Sequence, residues 1–82
     1  MVRVEVLWED ETGTPHVVPA KLEDKSRSGA SLRIKEPITV GTKLVVQSPY
    51  GQFSGVVTYC NRSGENYVLG ILRDPADGSD QK

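Results

Sequence analysis

Little in this chain can carry redox or metal chemistry. It has a single cysteine, Cys60, and a single histidine, His16. One thiol excludes an internal disulfide and suits a reducing compartment. One Cys and one His, with no ligand-spaced pair, do not assemble a zinc site without carboxylate help. Cys60 falls in a strand-like run with no acid or base near it in sequence, the setting of a packed or edge thiol rather than a nucleophile. No apolar run approaches the ~18 residues of a membrane span. Met1-Val2-Arg3 leads directly into a strand pattern, so no cleavable signal peptide is expected, and the expected location is cytoplasmic. Aromatics make up only 6% and the formal net charge is -1, which removes the basic grooves and stacking platforms of DNA or RNA binding. A small anion is still open to a local cluster of arginines.

What is present is alternation. Helical periodicity is absent over any useful length, and period-two patterning dominates. Val2, Val4, Val6 and Trp8 alternate with Arg3, Glu5 and Glu9, and residues 11–15 read as the turn that follows. Val18, Ala20 and Leu22 form the next apolar row, where Pro19 suggests an edge or a bulge. Ala30, Leu32 and Ile34 alternate with Ser31, Arg33 and Lys35. A fourth run carries Leu44 and Val46 and is turned back by Pro49-Tyr50-Gly51. In the fifth, Phe53, Val57 and Tyr59 share one face and Val56 and Cys60 the other. Asn61-Arg62-Ser63-Gly64 reads as a four-residue hairpin turn. The sixth sets Tyr67, Leu69 and Ile71 opposite Val68, Gly70 and Leu72, as if covered on both sides. Six short antiparallel strands in 82 residues predict one all-β domain, a small closed barrel over residues 1–74, because closure removes the edges an open sheet would expose. The polar segment 75–82 predicts a disordered tail.

Between the second and third runs stands Asp24-Lys25-Ser26-Arg27-Ser28-Gly29, a D-x-S-x-x-G hexapeptide. A carboxylate, a hydroxyl and a glycine at these offsets suit gripping the edge of a polar base or sugar. Asp24 accepts two N–H donors side by side, Ser26 donates or accepts, and Gly29 admits a close approach. The same residue types are also what a tight turn prefers, and composition alone puts the turn first.

The whole chain adds weight to the site. Arg3-Val4 opens the first run and D-x-S-x-x-G closes the second. Gly29-Ala30-Ser31-Leu32-Arg33-Ile34, Pro37-Ile38-Thr39-Val40-Gly41-Thr42-Lys43-Leu44, Gly55-Val56-Val57 and Tyr67-Val68-Leu69-Gly70-Ile71-Leu72 follow in order. From about Arg3 to about Asp74 the chain resembles a PilZ domain, the bacterial receptor module for cyclic di-GMP. The resemblance implies the same barrel. It also implies a base reader in the D-x-S-x-x-G turn and cations in an R-x-x-x-R motif just before the first strand.

Carried over, Asp24 would accept from guanine N1–H and N2–H, Ser26 would bond the base edge or a phosphate, and Gly29 would allow the approach. Arg3, 21 positions before Asp24 and followed by Val4-Glu5-Val6, matches the second arginine. The position of the first would fall before Met1. An arginine at a strand start is most often a solvated charge, so the role of Arg3 rests on the resemblance. A bidentate arginine contributes roughly 1 to 3 kcal/mol, and its loss weakens binding about tenfold to a hundredfold. Arg27, within the turn, is a candidate replacement, while Lys25 reads as an exposed loop residue. The C-terminal helix that many such domains carry would be expected to lie outside this sequence.

The resulting expectation is a non-catalytic signalling domain that binds cyclic di-GMP, needs no cofactor or metal, and relays the signal to a protein partner. No nucleophile and base pair, metal cluster or phosphate-cradling glycine loop is visible. The alternative is a barrel of the same kind that serves protein interaction without nucleotide.

Overall fold

A computed structural model describes residues 2–74. The expected tail at 75–82 lies outside them. Six strands form: β1 (Val2–Glu9), β2 (Pro15–Lys25), β3 (Gly29–Ile34), β4 (Lys43–Ser48), β5 (Gly51–Ser63) and β6 (Asn66–Arg73). They are antiparallel and close into a barrel in the order β1-β2-β3-β6-β5-β4. The seam is β1 on β4, with Val6 opposite Val46 and Trp8 opposite Leu44. No helix occurs among the described residues.

A barrel of six strands is too narrow for a lumen, so inward side chains fill it. Val4, Val6, Ala20, Leu32, Ile34, Leu44, Val46, Phe53, Val57, Leu69 and Ile71 do so, each at an alternate position of its strand. The β3–β4 connection passes over one end of the barrel, because those strands are not neighbours, and inserts Ile38 as a buried plug. Trp8 half-closes the same end, its ring stacked on His16 with centroids 5.0 Å apart. Phe53 lies toward the opposite end.

Two bulges interrupt the ladders. Glu23 is the extra residue in β2, between the Leu22–Leu32 and Asp24–Ser31 pairs. Thr58 is the extra residue in β5, between Val57–Ile71 and Tyr59–Gly70. Each inverts the alternation beyond it. Tyr59 therefore turns outward, away from the face of Phe53 and Val57 that simple alternation assigned to it, and Cys60 turns in against the core. The outer side of β6 is likewise not covered along its length, since Leu72 is exposed. Asn61, Arg62 and Ser63 are strand residues, and the hairpin is the two-residue Gly64-Glu65, with Gly64 at φ 64°. That positive φ at the first loop position is what a type II′ turn demands. Pro19 is opposite Glu5 of β1 but lies past Ile34, where β3 has ended. There β2 is locally an edge, and the missing N–H costs no ladder bond.

The β1–β2 loop is organised by Asp10. Its carboxylate accepts from Thr12 N (2.9 Å), Thr12 Oγ1 (2.6 Å) and Thr14 N (3.0 Å), and it meets His16 Nε2 at 2.9 Å. The Thr12 hydroxyl foremost, then His16 and the backbone donors, hold the Asp10 carboxyl far below its ordinary value of 3.8. The folded value being depressed, this stabilisation is complete above the unfolded value and is lost as the pH falls below it. Asp10→Asn should therefore be less stable than wild type at neutral pH. The gap in urea midpoint should narrow on acidification below pH 3.8; a gap independent of pH would contradict the assignment.

The interior predicts a second outcome. Leu32 is fully buried at the centre of β3, so Leu32→Ala should cost about 2 to 5 kcal/mol in urea unfolding. Val56→Ala, on the outer face, should change stability by less than ~0.5 kcal/mol.

Candidate functional site

The inversion of alternation at the two bulges builds the site. With Leu22 inward, Asp24 two positions on would also point inward, but the extra Glu23 turns it out. Asp24 then faces Ser31 of β3, Ser31 faces Gly70 of β6, and Gly70 faces Tyr59 of β5. One lateral row across four strands thus runs Asp24, Ser31, Gly70, Tyr59 on the outer wall. It opens on a shallow cleft of about 280 Å³ lined also by Ser26, Gly29 and Thr58. Both bulges are tied down by the extra residue itself. Glu23 takes the Arg33 Nε–H at 2.7 Å, and Thr58 Oγ1 donates to Gly70 O at 3.1 Å. Bulges often re-aim side chains beside binding sites, and here a carboxylate and an aromatic ring are aimed into one cleft.

Gly70 makes room for the ring. A Cβ there would overlap the Tyr59 ring edge, so the tyrosine lies over bare backbone and keeps 43% of its surface exposed. Gly29 serves a similar end. It does not have a positive φ, and a Cβ on it would come within 3.1 Å of the Ile71 carbonyl oxygen. Its close approach is thus to the backbone of β6.

Within the hexapeptide, residues 26–28 form the β2–β3 loop. Ser26 N donates to Gly29 O at 2.8 Å, and Gly29 N donates to Ser26 Oγ at 3.2 Å. The Ser26 hydroxyl is engaged in its own turn. Asp24 Oδ1 accepts from Lys25 N at 2.9 Å, which orients the exposed carboxylate. Arg3 is on the outer face of β1, opposite Lys21 and so one strand away from Asp24. Among the described residues neither Arg3 nor Arg27 has an ion-pair partner. Arg33, next to the site, is held by Glu23.

Sequence reasoning passed over Arg73. At the end of β6 its N–H donates to Ser28 O at 2.9 Å and its Nη1 to Ser26 O at 3.1 Å, so it clamps the loop to the barrel. Its guanidinium lies 4.7 Å from the Phe53 centroid, and Lys25 Nζ lies 5.3 Å from the same ring. Nothing in the spacing of the chain brings residues 26 and 73 together; only the β3–β6 pairing does. Tyr59 was missed because its face was inverted by the bulge.

A larger cleft, about 880 Å³, opens at the other end between Trp8, His16 and the β3–β4 connection. Glu9, Asp10, Glu11 and Glu36 line it against Lys43, a balance that repels an anion, and Asp10 and His16 are engaged with each other. Among the described residues no group of three His, Cys, Asp or Glu could hold a metal ion.

Neither a scan against protein-family models nor a search of curated proteins returned a match to this chain. The geometry of the cleft therefore carries the functional argument. It predicts that Gly70→Ala displaces the Tyr59 ring, moving its side-chain NMR shifts. Because the added methyl meets the far end of a flexible side chain, the stability loss should stay within ~1 kcal/mol. Unchanged Tyr59 shifts would contradict the packing described.

Proposed function

We infer that this chain is a PilZ-type receptor domain, bacterial and cytoplasmic, that binds cyclic di-GMP without chemistry and relays binding to a protein partner. The observation that carries this reading is the Asp24–Ser31–Gly70–Tyr59 row. A carboxylate able to accept paired N–H donors stands in the same cleft as a half-exposed aromatic ring, which suits a planar base with an amide and amine edge. Guanine has that edge and adenine does not. Arg27, in the loop that follows Asp24, supplies a cation beside the cleft, and Arg3 a second one strand away on the outer face of β1. Among the described residues neither is in an ion pair, which leaves both available to the ligand's phosphates. The residues assigned by this reading are Asp24 for the guanine edge, Arg3 and Arg27 for phosphate, and Ser26 and Gly29 for the shape of the turn.

The engagement of Ser26 in its own loop favours a second reading, a protein-interaction barrel that binds no nucleotide. Titration calorimetry with cyclic di-GMP and its inosine analogue separates the two. Asp24→Ala leaves guanine donors without partners, a loss of about 1 to 3 kcal/mol, or roughly tenfold to a hundredfold in affinity. The analogue, which lacks the N2 amine, should lose less. If Asp24→Ala keeps its fold and leaves both affinities as in wild type, or if wild type binds neither, the interaction reading replaces the receptor reading.

A further inference from the structure

The geometry points to an oxyanion subsite at the Phe53 end of the barrel, formed by Lys25 of β2 and Arg73 of β6 and suited to a phosphodiester. The two cations share one ring, at 5.3 and 4.7 Å from its centroid, which puts Lys25 Nζ and Arg73 Cζ no more than about 10 Å apart. The ring face attracts each cation, and an anion reaching both would add to that by offsetting their mutual repulsion. Among the described residues neither is in an ion pair, whereas Arg33 and Lys43 both are. The bulge in β2 explains how Lys25 comes here: past Glu23 it alternates with the outward Asp24 and extends over the barrel end.

Arg73 carries the stronger signal. Its Nε is buried and has no hydrogen-bond acceptor, which is uncommon for a buried donor on a charged group. The guanidinium is thus stacked on Phe53 and bonded to Ser26 O without a carboxylate to satisfy its fork. Turning toward an oxyanion gains an acceptor for Nε and gives up the single bond to Ser26 O. That bond is one of the two by which Arg73 holds the loop, so occupation of the subsite loosens the loop at Ser26 while the Arg73 N–H bond to Ser28 O remains. An anion would be sensed as a change in loop order next to Asp24.

The chemistry recognised is a phosphate oxyanion, from a cyclic dinucleotide or from free phosphates; only the first source rests on the receptor reading above. The test titrates wild type, Lys25→Gln and Arg73→Lys with cyclic di-GMP and, separately, with inorganic pyrophosphate. NMR follows Arg73 Nε–H and the amides of residues 26–28. Wild type should show shifts at Arg73 Nε–H with both ligands, and each substitution should weaken both about tenfold, the loss of one charge-assisted hydrogen bond. Arg73→Lys keeps the charge but not the fork, and Lys25→Gln changes an exposed residue, so the barrel remains available if the first is poorly folded. Cyclic di-GMP binding that both substitutions leave within twofold of wild type overturns the subsite and leaves the receptor reading standing. Pyrophosphate binding that depends on both residues, with no binding of cyclic di-GMP, supports the subsite and removes the receptor reading. No response to either ligand overturns both.

Discussion

Closure of the sheet commits each strand side chain to the inside or the outside, and a single inserted residue reverses that commitment for everything beyond it. This constraint governs the rest of the molecule. The β1–β4 seam leaves no free edge along which a register error might be absorbed, so the bulges at Glu23 and Thr58 act as fixed switches between faces. Before them, Leu22 and Val57 belong to the core. Just after them, Asp24 and Tyr59 stand on the outer wall in one row. The two bulges sit on strands that are not adjacent, β2 and β5, and they bracket β3 and β6. The cleft between them is a consequence of where closure places the extra residues.

The cost of exposing these side chains is met locally. Each bulge leaves ladder groups unpaired, and each extra residue supplies a bond in return, Glu23 to Arg33 and Thr58 to the Gly70 carbonyl. Gly70 then takes part twice, as the acceptor that fixes the bulge and as the bare backbone beneath the Tyr59 ring. The hexapeptide divides in the same way. Ser26 and Gly29 shape the turn and its packing on β6, while Asp24 is exposed and oriented by its bond to Lys25 N. A turn and a site are thus compatible uses of one D-x-S-x-x-G, because different residues serve each.

Alternation alone located all six strands and nearly all of the core, since Val4, Val6, Leu32, Ile34, Leu44 and Val46 lie in uninterrupted stretches where period two holds. It failed where period two is broken. Tyr59 and Cys60 were given each other's faces because a bulge carries no residue signature: Thr58 is an ordinary strand residue, and its extra position is required only by pairing with β6. The same gap hid the reach of β5 through Ser63, where Asn61-Arg62-Ser63-Gly64 reads as loop composition although only Gly64-Glu65 turns. Asp24, Ser26 and Gly29 were legible as a group because they are close in sequence. Arg73 was not, because its partner Ser26 lies 47 positions away and is reached only through a strand order that the chain does not spell out.

A net charge of -1 describes a molecule without a preferred ionic partner, and the fold shows why that average misleads. Glu9, Asp10, Glu11 and Glu36 gather at the end closed by Ile38 and Trp8. Lys25 and Arg73 gather at the end occupied by Phe53, with Arg27 in the loop alongside. Antiparallel closure makes this separation possible, since the loops at residues 10–14 and 35–42 meet at one end and residues 25–28 and 73 at the other. Opposite ends of a barrel are separated by more than the ~10 Å over which exposed charges are felt at moderate salt, so an approaching anion responds to the nearer end rather than to the sum. The cationic end is also the one beside Asp24, which places the acceptor for a base edge and the donors for an oxyanion on neighbouring ground.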